Sequence, residues 1–95
     1  MTIAAFDPKD PNDVDFFTFD YVRLLASGET ITGIAIAVDD GDGALVVGSS
    51  SYVNTYATVQ LSAGTLNVVY VVRCRATTSL GRILDLSGSV LIASN

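Results

Sequence analysis

Asn67-Val68-Val69-Tyr70-Val71-Val72-Arg73-Cys74-Arg75-Ala76-Thr77 is the stretch that decides the fold. Val68, Tyr70, Val72, Cys74 and Ala76 fall on one side at period two, and Val71, Arg73 and Arg75 fall on the other. Successive side chains of a strand point to opposite faces, so this alternation reads as a half-buried β-strand. Its β-branched and aromatic content suits a pleated surface packed on one side. Ala63-Gly64-Thr65 turns the chain just before it, and Thr78-Ser79-Leu80-Gly81 reads as a hairpin just after it. The hairpin leads into Arg82–Ala93, the last strand or pair of strands.

Working outward, Thr55–Ser62 alternates in the same way, with Ala57, Val59 and Leu61 inward and Thr58 and Gln60 outward. Ala44–Gly48 predicts a short strand closed by Ser49-Ser50-Ser51, and Asp39-Asp40-Gly41-Asp42-Gly43 predicts a turn. In Thr30–Val38, Ile34, Ile36 and Val38 keep period two while Ile31 is out of phase. A bulge at Gly33 would bring all four to one side. Asp15–Tyr21 places Phe17, Phe19 and Tyr21 on one face and Phe16 on the other, and Val22–Ala26 has room for one helical turn. No long stretch keeps a helical period, and strands do not alternate with helices, which excludes parallel α/β folds. About seven strands with turn signals roughly every 8–12 residues predict an all-β, immunoglobulin-like antiparallel β-sandwich. Tyr70, entering its strand after Leu61-Ser62-Ala63-Gly64-Thr65, has the placing of a tyrosine corner, whose phenol bonds backbone upstream.

Residues 1–13 read differently. Both prolines, Pro8 and Pro11, sit there among aspartates, and proline pushes the residue before it toward extended backbone. The expectation is an extended N-terminal arm over 1–13, with Ile3 and Phe6 available to a neighbour, ahead of a sandwich domain over 14–95.

At 95 residues the chain suffices for one domain with a thin core. Hydrophobic residues make up 49% and charged residues 16%, below the roughly 25% usual for globular domains. So little charge predicts permanent assembly, as a homo-oligomer or against partners. Ten acidic against five basic residues give a net charge of −5, unsuited to nucleic acid or an anionic membrane. The longest apolar runs, such as Val68–Val72, are too short to cross a bilayer as a helix. Met1–Asp7 lacks the pattern of a secretion signal, and the lone Cys74 cannot form an internal disulfide. Both fit synthesis in a reducing cytoplasm.

Chemistry finds little purchase. The absence of histidine removes the commonest general base and the Ser-His and Cys-His nucleophile systems. One cysteine cannot build a structural zinc site, and Glu29 is the only glutamate. No phosphate-binding glycine motif is present. The expectation is a non-enzymatic protein without metal or cofactor. The Asp39–Gly43 run allows a calcium loop as well as a plain turn, since Asp-x-Asp-Gly sequences occur in both. Arg73 and Arg75 on one strand face, with Arg82 across the hairpin, are candidates for docking on an acidic surface. The aspartates of a neighbour's arm, Asp7, Asp10, Asp13 and Asp15, would supply one.

Asp10-Pro11, Phe17-Thr18-Phe19-Asp20, Leu25 followed by Gly28-Glu29-Thr30-Ile31, Leu61-Ser62-Ala63-Gly64-Thr65, the alternation from Tyr70, and Thr77-Thr78-Ser79-Leu80-Gly81-Arg82 stand in a telling order. Over most of residues 7–86 they resemble the fiber–tail adaptor proteins of tailed bacteriophages, small immunoglobulin-like virion components. The chain departs from several relatives in having no tryptophan and in its continuation through Ser87–Asn95. The resemblance implies a structural protein made in the host cytoplasm and built into the virion in several copies, linking a fiber to the tail and touching tail, fiber or capsid subunits. A capsid cement protein bridging capsomers is an alternative. So is an adhesion or carbohydrate-binding module using Tyr52 and Tyr56 near Asn54.

Overall fold

The computed structural model describes residues 3–6 and 8–94, and for residues 3–5 the backbone alone. Seven strands follow along the chain: β1 (Ile3–Ala5), β2 (Asp15–Asp20), β3 (Ile31–Asp40), β4 (Leu45–Val53), β5 (Tyr56–Ala63), β6 (Val69–Thr78) and β7 (Ile83–Leu91). They form a four-stranded sheet in the order β1-β7-β6-β3 and a three-stranded sheet in the order β2-β5-β4. Every pairing is antiparallel except β1 with β7. Among the described residues there is no helix. Strands β2, β5 and β4 occupy the B, E and D places of the immunoglobulin sandwich, and β3, β6 and β7 its C, F and G places.

The central strand behaves as its alternation predicts. Tyr70, Val72, Cys74 and Ala76 are fully buried, and across the core Ala57, Val59 and Leu61 of β5 are too. Phe17, Phe19 and Tyr21 bring the aromatic share of the core from the β2 side. Tyr21 spans the sandwich, its hydroxyl donating to the Cys74 carbonyl oxygen at 2.5 Å. Burial and the neighbouring Cys74 side chain hold the phenol well above its ordinary pKa, and burial likewise raises the Cys74 thiol. Cys74 is a small buried hydrophobe with a free thiol.

The register of β3 against β6 shifts between Ile31 and Gly33. That bulge lets Ile31 and the Ile34, Ile36, Val38 series all reach the core. The predicted short strand over 44–48 is longer in the structure. It runs through the serines as β4 to Val53, with its own register shift between Val47 and Ser50. A serine run carries no alternation, so it reads as a loop, yet an edge strand needs only backbone pairing on one side. Val22–Leu25 is a turn, closed by the Leu24 amide on the Tyr21 carbonyl at 2.8 Å.

Residues 3–13, read from the sequence as an arm ahead of the domain, lie along the sandwich. Ile3–Ala5 pair in parallel with Ser87–Ser89, the Phe6 amide donates to the Ser89 carbonyl at 2.8 Å and the Lys9 amide to the Leu91 carbonyl at 2.9 Å. Phe6, expected to meet a neighbour, packs against Phe17 and Phe19 of its own core at ring distances of 5.1 and 5.2 Å. The ring fits because position 88 is glycine: a Cβ there would run into it. Lys9 is buried, and its ammonium donates to the carbonyl oxygens of Asp10 (2.7 Å) and Ala63 (2.8 Å). Ala63 has a positive φ of 60°, a conformation unfavourable for a side-chain-bearing residue. The one lysine therefore secures the corner between β5 and β6.

Candidate interaction site

Two polar clusters fix the loops at opposite ends of the sandwich. At the first end stands Glu29, whose side chain is buried. Its Oε1 accepts from the Ala26 amide at 2.8 Å and from Arg82 Nη2 at 2.5 Å. Its Oε2 accepts from Arg82 Nε at 3.0 Å and from the Thr78 hydroxyl. Arg82 Nη2 also donates to the Leu24 carbonyl at 2.7 Å, tying the loop after β2 to the β6–β7 hairpin. Ser79 and Thr30 add two more bonds between the same segments, at 2.8 and 3.0 Å. Hydrogen bonds from Arg82, then from Thr78 and the Ala26 amide, bring the Glu29 carboxyl down to about 2. Gly28-Glu29-Thr30-Ile31 and Thr77–Arg82, far apart in sequence, thus form one structure.

At the other end Asp42 plays the same part with neutral partners. Its Oδ2 accepts from the Thr65 hydroxyl at 2.5 Å, and its Oδ1 from the Ala44 amide at 3.0 Å and from the Tyr70 hydroxyl. Tyr70 in turn accepts from the Thr65 amide at 2.9 Å, which is the tyrosine corner expected from the sequence. Gly41, at φ 136°, lies against the Tyr70 ring, where any Cβ would collide with it. The Thr65 and Tyr70 hydrogen bonds lower the Asp42 carboxyl to about 2. Of the two readings left open for Asp39–Gly43, the turn accounts for every bond that Asp42 makes. Among the described residues no three Cys, Asp or Glu side chains gather as metal ligands.

The three arginines do not form one patch. Arg73 and Arg75 share the outer face of β6, but Arg82 turns inward to Glu29. Arg75 holds Asp85, its direct cross-strand partner on β7, through bonds of 2.9 and 3.0 Å, and this keeps the Asp85 carboxyl below its ordinary range. Arg73 lies 3.4 Å from Asp39. The acids they meet are therefore in their own chain. Asp10 shapes a turn, accepting from the Asn12 amide through its carboxylate and from the Asp13 amide through its carbonyl. Asp7 and the side chain of Ile3 lie outside the described residues. Tyr52, a candidate for sugar stacking, donates its hydroxyl to the Thr32 carbonyl at 2.7 Å.

The model of one protein family, described as podophage GP4 fiber-tail adaptor protein gp77, matches residues 9–91. The chain belongs to this adaptor family. The match begins at the buried Lys9 and ends at the last residue of β7, so it takes in both polar clusters and the whole sandwich except β1. No curated protein matches the chain. Membership makes the chain a structural adaptor of a phage virion, the first of the three readings drawn from the sequence.

Sequence reading missed Glu29 and Asp42 as organisers. Glu29 did carry a signal, as a lone glutamate inside the Gly-Glu-Thr-Ile motif, with its partner motif ending in arginine. Asp42 was hidden among aspartates whose spacing suits any turn.

Proposed function

We propose that this adaptor is a non-enzymatic connector that meets one virion partner at each end of its sandwich, in several copies per particle, after synthesis in the host cytoplasm. The observation that carries the proposal is the adaptor-family match over residues 9–91. The shape supports it: the domain measures 41 × 23 × 20 Å, so its two loop ends lie far apart. Both ends are set by internal hydrogen bonds, and a loop that is already ordered loses less entropy when it binds. Exposed apolar residues accompany each end, Leu24 and Leu80 beside the Glu29 cluster, and Leu66, Val69 and Leu91 beside the Asp42 cluster. The carboxylates of Glu29 and Asp42 are engaged by structural donors.

Electron microscopy of phage carrying an early stop codon in this gene tests the role. The expected particles have filled heads and tails without fibers. Normal fibers, or leaking heads with fibers in place, would contradict it.

A further inference from the structure

The two sheets are in touch along one long side, where Tyr52 of β4 reaches Thr32 of β3. On the opposite side the edges are β1 and β2, and Phe6, β2, the turn after it and β7 line an open groove of about 540 Å³. Phe6, Phe19 and Leu86 give it an apolar floor, and Arg23 and Leu24 stand on its rim. Its size is that of a ligand-sized cleft, large enough for one or two side chains. Among the described residues β2 is an edge strand whose outer backbone donors and acceptors no neighbouring strand uses, and an extended chain can add there.

Arg23 supplies the chemistry. Arg73, Arg75 and Arg82 each face a carboxylate of the chain, and Lys9 is bonded to two carbonyls. Among the described residues Arg23 is the one basic side chain left without such a partner. Asp20 lines the same groove and carries a negative charge, its Oδ1 accepting from the Val22 amide at 3.0 Å, so an occupant's carboxylate has to sit on Arg23 and away from Asp20. In a chain of net charge −5, an acidic segment is repelled by most of the surface, which makes an unspent guanidinium beside an apolar cleft selective.

We propose that this groove takes an extended, acidic segment of a virion partner. The segment adds to the free edge of β2, seats one aromatic or aliphatic side chain against Phe6, Phe19 and Leu86, and sets a carboxylate on Arg23. The proposal rests on the adaptor role and names the chemistry of one partner.

Two fluorescein-labelled decapeptides of alternating threonine and valine test it by anisotropy against the full chain. One carries a central phenylalanine followed two residues later by aspartate, so that both fall on one face of a strand; the other has asparagine in the aspartate position. The aspartate peptide binds about threefold more tightly at low salt, and the difference shrinks as salt screens the pair. Arg23→Glu abolishes the preference with Tm unchanged, and Leu24→Asp weakens the aspartate peptide further. Equal binding of the two peptides, a preference that survives Arg23→Glu, or no binding of either at millimolar concentration overturns the proposal. Detecting this chain in wild-type virions tests the adaptor role separately. A chain present in particles that ignores both peptides keeps its role and loses the groove.

Discussion

At one end of the sandwich Glu29 gathers a guanidinium, a hydroxyl and a backbone amide; at the other, Asp42 gathers two hydroxyls and a backbone amide. Both carboxylates join a loop between the first strands to the corner that follows or precedes β6. They differ in charge balance. Glu29 is buried and needs the arginine, because a carboxylate out of water without a counter-charge is strongly unfavourable. Asp42 is exposed to water and is held by neutral donors, so no single partner is indispensable. The difference teaches that a loop can be shaped equally well by an ion pair or by hydroxyls, but that the two fail under different conditions. Loss of the one counter-charge threatens the first end. The second yields by degrees.

The sharpest way to break this comparison is Arg82→Ala, which strands the buried Glu29 carboxylate. It lowers Tm more than any single substitution at Asp42, Tyr70 or Arg75, and the double variant Arg82→Ala, Glu29→Gln recovers part of the loss by removing the charge. A smaller effect belongs to Tyr70→Phe, which deletes one donor to Asp42 and one acceptor for the Thr65 amide. Chemical denaturation should show a loss of about 1–2 kcal/mol.

Acid brings both ends into play. The folded carboxyls lie at about 2, while unfolded chains titrate near 4. A depressed pKa stabilises the fold above the unfolded value, and that contribution disappears as pH falls from about 4 through about 2. Stability measured across this window should decline in the wild type and decline less in Glu29→Gln and in Asp42→Asn. The smallest effect is that of Arg75→Ala. Its pair with Asp85 is exposed, so Tm should stay within error of the wild type. A clear loss there would mean that surface charge matters as much as the buried cluster.

Much of the fold was legible because it rests on short-range alternation. Val68–Ala76, Ala57–Leu61 and the out-of-phase Ile31 each announce a face, and the sandwich follows from faces and turns. Tyr70 was legible too, since its partner Thr65 lies only five residues upstream. The polar clusters were not. Glu29 and Arg82 are 53 residues apart, and nothing local to either names the other. The partners of the arginines were hidden for the same reason: spacing places Arg73 and Arg75 on one face but says nothing of Asp39 or Asp85 facing them. Phe6 and Lys9 looked like parts of a free arm because prolines and aspartates surround them. Their sites, over Gly88 and under Ala63, exist only once β7 and β5 are in place.

The most direct test of the adaptor role is the amount of this chain in purified virions, measured by quantitative mass spectrometry against the major capsid protein. A fiber–tail adaptor is present at a small fraction of the capsid protein's copy number. Near-equimolar amounts would make it a capsid cement protein instead, and absence from the particles would contradict a structural role of either kind.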